Sequence, residues 1–168
     1  MPGGVSNLLP LVTDAQVRLV RLTPDVNESV LSPLYDNEDG PPLSFLISLL
    51  QQPSCSAWML SEGEEVCAAV WYQQAVDEAE LLDVRVQEHQ RRRGLGRQLV
   101  WASMAALALH EVMQIRLEVR VSNHAARALY CNLGFREYGR RRDYYPCEEG
   151  REDAILMALE LNRGGVEL

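Results

Sequence analysis

The segment Arg91-Arg92-Arg93-Gly94-Leu95-Gly96-Arg97 constrains this chain more than any other, because it sits where a strand-like run, Glu80 to Val86, gives way to a long helical pattern. From Leu95 the apolar positions Leu95, Leu99, Ala102, Ala106 and Leu109 recur at spacings of four and three, which predicts a helix with one buried face. Glycine lets the backbone approach a ligand closely, and the first turn of a helix presents N–H groups that have no intrahelical acceptor. A strand-to-helix junction of this composition reads as a cradle for a phosphate group.

The charge distribution places any anion site in the second half of the chain. Residues 1–84 hold two basic side chains, Arg18 and Arg21, against thirteen acidic ones, a net −11; residues 85–168 hold fourteen arginines against eleven acids, a net +3. The overall charge of −8 argues against general binding of nucleic acid or of an anionic membrane, both of which draw on a positive field. No G-K-[S/T] follows the glycines, and the third glycine of G-x-G-x-x-G would fall on Leu99, so neither a P-loop nor a dinucleotide fingerprint is present. Cys55, Cys67, Cys131 and Cys147 show no C-x-x-C spacing and His89, His110 and His124 form no H-x-x-x-H pair, so no metal is expected and the thiols are expected to be reduced and mostly buried. Met1 to Val12 lacks the pattern of a signal peptide, and no stretch approaches the roughly 20 apolar residues of a membrane helix, which predicts a cytosolic (cytoplasmic) protein.

At 168 residues and 47% hydrophobic, the chain predicts one globular domain, residues 1–168. Val17 to Leu22 reads as a first strand, Thr23 or Asp25 begins a helix, Asn37-Glu38-Asp39-Gly40-Pro41-Pro42 is a turn-rich break, and Leu43 to Leu50 is a second short helix. Ala57–Leu60 and Val66–Gln73 form a hairpin through Ser61-Glu62-Gly63-Glu64. Ile115, Leu117, Val119 and Val121 alternate with Arg116, Glu118 and Arg120, the clearest half-buried strand in the chain. Ser122 or Asn123 caps the following helix and Gly134 terminates it; Phe135–Arg141 and Ala154–Leu161 are then a last strand pair joined by a polar loop, Asp143 to Arg151.

With a strand before it and an amphipathic helix after it, the pattern [Q/R]-x-x-G-x-[G/A] at Arg91, Gly94 and Gly96 resembles the acetyl-CoA pyrophosphate loop of the GCN5-related N-acetyltransferases. The resemblance continues through Asn123, Ala126 and Tyr130 to Leu133-Gly134-Phe135 and covers roughly residues 65–161. It implies an α/β (α+β) single-domain fold with a central mixed, mostly antiparallel sheet of about seven strands, splayed at the acetyl-CoA site and flanked by about four helices. It also implies a site in which pantetheine extends the ladder of Val84-Arg85-Val86. The pyrophosphate would lie on backbone donors of Arg91, Arg92, Arg93, Gly94, Leu95, Gly96 and Arg97, and Asn123 would join the cofactor site unless it serves only as a helix cap.

Acetyl transfer to an amine needs a proton acceptor and a proton donor. Glu118 lies on the face of its strand opposite Ile115, Leu117 and Val119, and the resemblance makes it the acceptor; the plainer alternative is an ion partner for Arg116 or Arg120. The resemblance makes Tyr130 the donor, where the alternative is a partly buried aromatic. Leu117-Glu118-Val119-Arg120-x-Ser122-Asn123, Tyr144-Tyr145-Pro146, Gly150-Arg151-Glu152-Asp153-Ala154 and Met157 look like the branch of the family that acetylates the N-terminal alanine of a small-subunit ribosomal protein. The resemblance therefore implies a protein N-terminus as partner, with Tyr144 and Tyr145 flanking its first residues, and direct transfer in a ternary complex. A small-molecule amine or a lysine side chain is the alternative acceptor, a noncatalytic acyl-CoA-binding module the alternative class, and a monomer is expected. The first 60 residues depart from the family pattern: Ser32-Pro33-Leu34-Tyr35 is only a remnant of the aromatic-Pro-Trp segment, and Asp83-Val84-Arg85-Val86 carries charge where relatives are apolar or small.

Overall fold

The computed structural model describes residues 16–36 and 40–161. Seven strands, β1 (Val17–Arg21), β2 (Cys55–Glu62), β3 (Glu65–Ala75), β4 (Glu78–Val86), β5 (Gln114–Arg120), β6 (Arg136–Cys147) and β7 (Gly150–Glu160), form one sheet in the order β1-β2-β3-β4-β5-β7-β6. Every neighbouring pair is antiparallel except β4 and β5. Among the described residues four helices flank the sheet: α1 (Glu28–Leu31), α2 (Leu43–Leu49), α3 (Leu95–Leu109) and α4 (His124–Asn132). The mixed, mostly antiparallel sheet and its helices agree with the sequence-based expectation.

One face of the sheet carries α3 and α4 over Val70, Tyr72, Leu81, Ile115, Leu117 and Ile155; the other carries α1 and α2 over Ala57, Ala69 and Trp71. The alternation along β5 explains the division: Ile115, Leu117 and Val119 are buried toward α3 and α4, whereas Arg116, Glu118 and Arg120 turn to the other face, which α1 and α2 leave uncovered over β5, β7 and β6.

The parallel pairing of β4 with β5 extends only from Glu78↔Gln114 to Leu81↔Leu117. Beyond it the strands part. A bulge assists the separation: Tyr72 pairs with Leu81 but Trp71 with Asp83, so Leu82 is an extra residue. Past the bulge β4 keeps β3 on one side (Val70↔Val84, Ala69↔Arg85, Ala68↔Val86) and has no strand on the other.

Several boundaries differ from those read in the sequence. Neither Thr23 nor Asp25 begins α1; they hydrogen-bond each other in a turn set by Pro24, and Asn27 is the cap, its Oδ1 accepting from Ser29 N at 3.0 Å. The segment Asp143 to Arg151 is not a loop, since β6 runs to Cys147 and β7 starts at Gly150. A wide bulge between Arg141↔Ala154 and Tyr145↔Glu152 interrupts the pairing, and side chains replace the missing ladder bonds: Asp153 Oδ1 accepts from Asp143 N at 3.0 Å, and Arg151 donates to the carbonyls of Asp143 and Tyr144, both at 2.6 Å. Cys55 and Cys67 are buried, but Cys131 and Cys147 are exposed, so the thiols are not mostly buried; all four are free. Asn37, Glu38 and Asp39 of the turn-rich break, and Met1 to Val12, lie outside the described residues.

Candidate active site

Gly94 caps α3 in the left-handed conformation, φ 76° and ψ 11°, which a side chain would strain, and no atom lies within 4 Å of the position its Cβ would take. Gly96 serves a different end: a Cβ there would stand 3.2 Å from Val86 Cγ2 and 3.7 Å from Leu129 Cδ2, so its absence lets the first turn of α3 sit against β4 and α4. Together they leave the N–H groups of Leu95, Gly96 and Arg97 at an open helix start beside the free edge of β4.

The arginines of this segment do not all face that opening. Arg91 turns back so that Nε donates to the Val86 carbonyl at 3.2 Å, and Arg93 pairs with Glu62 at 3.0 Å on the β2–β3 side. Arg92 adopts φ 63° and is exposed, as is Arg97. The segment thus presents backbone N–H groups at the helix start, while Arg91 and Arg93 turn to other partners. Asn123 caps α4, its Oδ1 accepting from Ala126 N at 3.1 Å, which engages the oxygen and leaves the amide NH2 of the side chain.

Glu118 and Tyr130 approach the gap between β4 and β5 from opposite faces. Glu118 lies one residue beyond the last pair, Leu81↔Leu117, on the uncovered face. Its ion partner is Arg141 on β6, at 3.1 Å; the two partners suggested by the sequence are engaged elsewhere, Arg116 with Glu78 and Arg120 with Glu152. Tyr130 rises from α4 on the other face, 5% exposed, its ring 5.6 Å from that of Phe135. Burial pushes the Tyr130 phenol well up, and Tyr72 and the charge of Asp83 on β4 add to the shift, which favours the protonated hydroxyl.

Tyr144 and Tyr145 flank the uncovered face on β6. Their rings meet edge to face at 5.0 Å, Arg120 stacks on Tyr145 at 4.5 Å and Arg141 on Tyr144 at 5.2 Å. Burial, and next the Glu118 carboxylate, raise the Tyr145 phenol above its ordinary value, which places that ring in the field of Glu118. A cavity of about 280 Å³ opens on this face, with Glu118, Tyr138 and Arg141 in its wall and Glu78, Glu80 and Arg116 at its far end.

Sequence reading missed Arg141 and, although it noted the charges of Asp83 and Arg85, missed the cluster they form with Tyr35. Arg141 lies on a strand whose side chains are nearly all exposed, where no periodicity marks orientation. Asp83 left a signal: charge at positions 83 and 85 between apolar Val84 and Val86 marks a strand with two unlike faces.

A splayed sheet, a glycine-rich helix start at the split and two protonatable groups across it define a family of acyltransferases. The chain belongs to the acetyltransferase (GNAT) family, whose model matches residues 24–135, and it is an N-acetyltransferase. It is 43% identical over 105 residues to the [ribosomal protein bS18]-alanine N-acetyltransferase of Escherichia coli (strain K12), a match covering 62% of this chain and 71% of that one. The crystal structure of the ribosomal-protein-S18-alanine N-acetyltransferase from Escherichia coli superposes with a TM-score of 0.79 at 33% identity, over 90% of this chain and 98% of that one. A Bacillus subtilis acetyltransferase solved in complex with CoA shares the fold, with a TM-score of 0.71 at 18% identity over 87% of this chain and 99% of that one. Among the described residues no helix is long and apolar enough to cross a membrane, and no group of three or more His, Cys, Asp or Glu could hold a metal ion.

Proposed function

We propose that this chain acetylates the N-terminal α-amine of a protein, specifically the N-terminal alanine of ribosomal protein bS18, in the cytoplasm. The observation that carries the reading is the placement of Glu118 and Tyr130 on opposite faces of one gap in the sheet, with Tyr145 beside Glu118. The Escherichia coli enzyme named for this activity, similar in sequence and in structure, supports the choice of acceptor.

Acetyl-CoA supplies the acetyl thioester and is held by the chain itself. The unpaired edge of Val84, Arg85 and Val86 offers N–H and C=O groups to the pantetheine amides, and the backbone from Arg91 to Arg97 receives the pyrophosphate, with the Asn123 side-chain amide as a further donor. These residues fit the group: the helix start is open at Gly94 and the strand edge is bare.

Glu118 takes the proton from the attacking amine, and Tyr130 gives one to the departing sulfur. An α-amine has a reference pKa of about 8 against about 10.4 for a lysine side chain, so reaching the neutral nucleophile near pH 7 costs about 3 kcal/mol less at a protein N-terminus. The raised Tyr130 phenol does not ionise in the resting site, and it releases its proton only as the C–S bond breaks and charge builds on sulfur. Tyr144 and Tyr145 flank the first residues of the acceptor. The exposed Cys131 and Cys147 play no part as nucleophiles in this scheme.

Incubation with acetyl-CoA and peptides of varied N-terminal residue, followed by mass spectrometry, tests the proposal. Acetylation at the α-amine of peptides beginning with alanine is the expected result. Modification confined to lysine side chains or to a small polyamine would replace the acceptor, and binding of acetyl-CoA without turnover on any acceptor would replace the activity.

A further inference from the structure

A polar cluster on the α1–α2 side of β4 takes no proton in the scheme above, although Asp83 within it bears on the Tyr130 phenol. Asp83 and Arg85 lie just past the bulge with side chains only 11% and 13% exposed, paired at 3.3 Å. Tyr35, at the end of a 3-10 turn (Ser32–Leu34) after α1, donates to Asp83 Oδ2 at 3.1 Å and accepts from Trp71 Nε1 at 2.7 Å. The Arg85 guanidinium stacks on the Tyr35 ring at 4.3 Å and donates through Nη2 to the Pro41 carbonyl at 3.4 Å. Gly40 is shaped to admit it: its φ is +87°, and a Cβ there would stand 2.8 Å from Arg85 Nη2 and 3.4 Å from Asp83 Oδ1.

Three separate segments, the end of α1, the Gly40–Pro41 turn into α2, and β4, thus meet on two side chains of β4. The cluster faces the same side of the sheet as Glu118 and stands across the gap from it, since Asp83 and Glu118 both follow the last β4–β5 pair. The wall formed by α1 and α2 borders that side of the gap and packs Leu31, Leu34, Leu43 and Leu46 on Ala57, Ala69 and Trp71 of β2 and β3. That packing seats the wall on β2 and β3, and the hydrogen-bonded ion pair with its stacked ring adds a directional tie between the turn into α2 and β4.

We propose that Asp83, with Tyr35 and Arg85, is a positioning residue for the acceptor: it pins the Gly40–Pro41 turn and α2 against β4 and so sets the acceptor side of the cleft. The inference rests on the reading that acceptor amines enter on the Glu118 face. It assigns Asp83 no contact with the reacting atoms. Loss of the pin releases the acceptor wall while leaving the β4 backbone, held by β3, in place for acetyl-CoA.

Asp83→Asn and Tyr35→Phe test it in the full chain, with steady-state kinetics on an N-terminal alanine peptide and acetyl-CoA and with amide hydrogen exchange. Asp83→Asn is expected to raise the acceptor KM about tenfold and Tyr35→Phe about threefold, with the acetyl-CoA KM moving less than twofold and exchange over residues 43–50 accelerating in both. An acetyl-CoA KM that rises as far as the acceptor KM, or unchanged exchange in α2, overturns the proposal. If Asp83→Asn does not fold, Tyr35→Phe decides alone, since it removes one hydroxyl and keeps the ring. If the wild-type chain acetylates no N-terminal peptide, the functional reading falls, and exchange then decides the pin by itself: faster exchange in α2 of either variant keeps it, and unchanged exchange removes it.

Discussion

The two faces of the sheet at the β4–β5 gap are built by different physics. On the α3–α4 face the gap is backed by a close-packed core in which Leu99, Val100, Met104, Ile115 and Leu117 are almost wholly buried and α3 is seated on β4 through Gly96. On the opposite face, past the α1–α2 wall, β5, β7 and β6 present ion pairs and stacked rings: Glu118–Arg141, Arg120–Glu152 and Arg120 on Tyr145. Removing a core side chain costs several kcal/mol, while an exposed ion pair is worth about 1 kcal/mol or less. One face is therefore costly to alter, and the other tolerates change by small steps without unfolding the chain.

That contrast predicts where substitutions cost rate and where they cost affinity. Glu118→Gln removes the proton acceptor from the open face and is expected to lower kcat/KM by about 10²–10⁴-fold. Because the introduced amide keeps the shape of the carboxylate and loses only the charge pairing with Arg141, a thermal midpoint within a few degrees of wild type is expected beside it. Wild-type activity in this variant would remove Glu118 from the mechanism. On the packed face, Tyr130→Phe keeps the contact with Phe135 and deletes only the hydroxyl, so kcat is expected to fall about 10²-fold with both KM values nearly fixed. The pH–rate profile separates the two further. Burial raises the Tyr130 phenol, so no falling limb from its ionisation is expected at alkaline pH, and the rising limb follows the acceptor amine near its reference pKa of about 8.

The same contrast explains which parts of the molecule were legible in the sequence. Alternation is strong wherever one face is buried, so β5 was readable residue by residue, and the caps at Asn123 and Gly134 bracket α4 as the sequence suggests, with Gly134 at φ 95°. The strand-to-helix junction was legible because Gly94 and Gly96 answer needs of backbone conformation and close packing that no side chain can meet. The uncovered face was not. On β6 nearly every side chain is exposed, so a strand with a wide bulge carries the same polar composition as a loop. Tyr35 is distant in sequence from Asp83 and Arg85, and it meets them past the bulge at Leu82, a register change that no local pattern encodes.

Two milder substitutions probe affinity on each side. Gly96→Ala places a Cβ 3.2 Å from Val86 Cγ2, and overpacking of this kind costs about 1–3 kcal/mol unless the valine turns away. Displacement of α3 from β4 disturbs the helix start, so an acetyl-CoA KM raised about tenfold with the acceptor KM little changed is expected. Tyr145→Ala removes the ring beneath Arg120 and beside Tyr144, and the converse is expected: the acceptor KM rises about fivefold and the acetyl-CoA KM stays within twofold. Equal movement of both constants in either variant would mean that the two faces are not separable.

The smallest effect belongs to a buried hydroxyl pair behind Tyr130. Tyr72 is fully buried on β3, and its hydroxyl lies 2.8 Å from Ser103 Oγ on α3; Ser103 in turn donates to the Val100 carbonyl at 2.9 Å, which leaves Tyr72 as the donor of the pair. In Tyr72→Phe the serine keeps its own donation and loses one accepted bond, so the loss of stability should be near the ordinary worth of a hydrogen bond, about 1 kcal/mol. Urea denaturation would read this as a lower midpoint with an unchanged slope. Tyr72 also lies close enough to Tyr130 to bear on its phenol, and this makes the kinetic outcome informative. If the packed face only supports the site, turnover in Tyr72→Phe stays within twofold of wild type. A tenfold fall would instead place Tyr72 in line with Tyr130 as a group that sets its proton, and the packed face would then belong to the chemistry as well as to the fold.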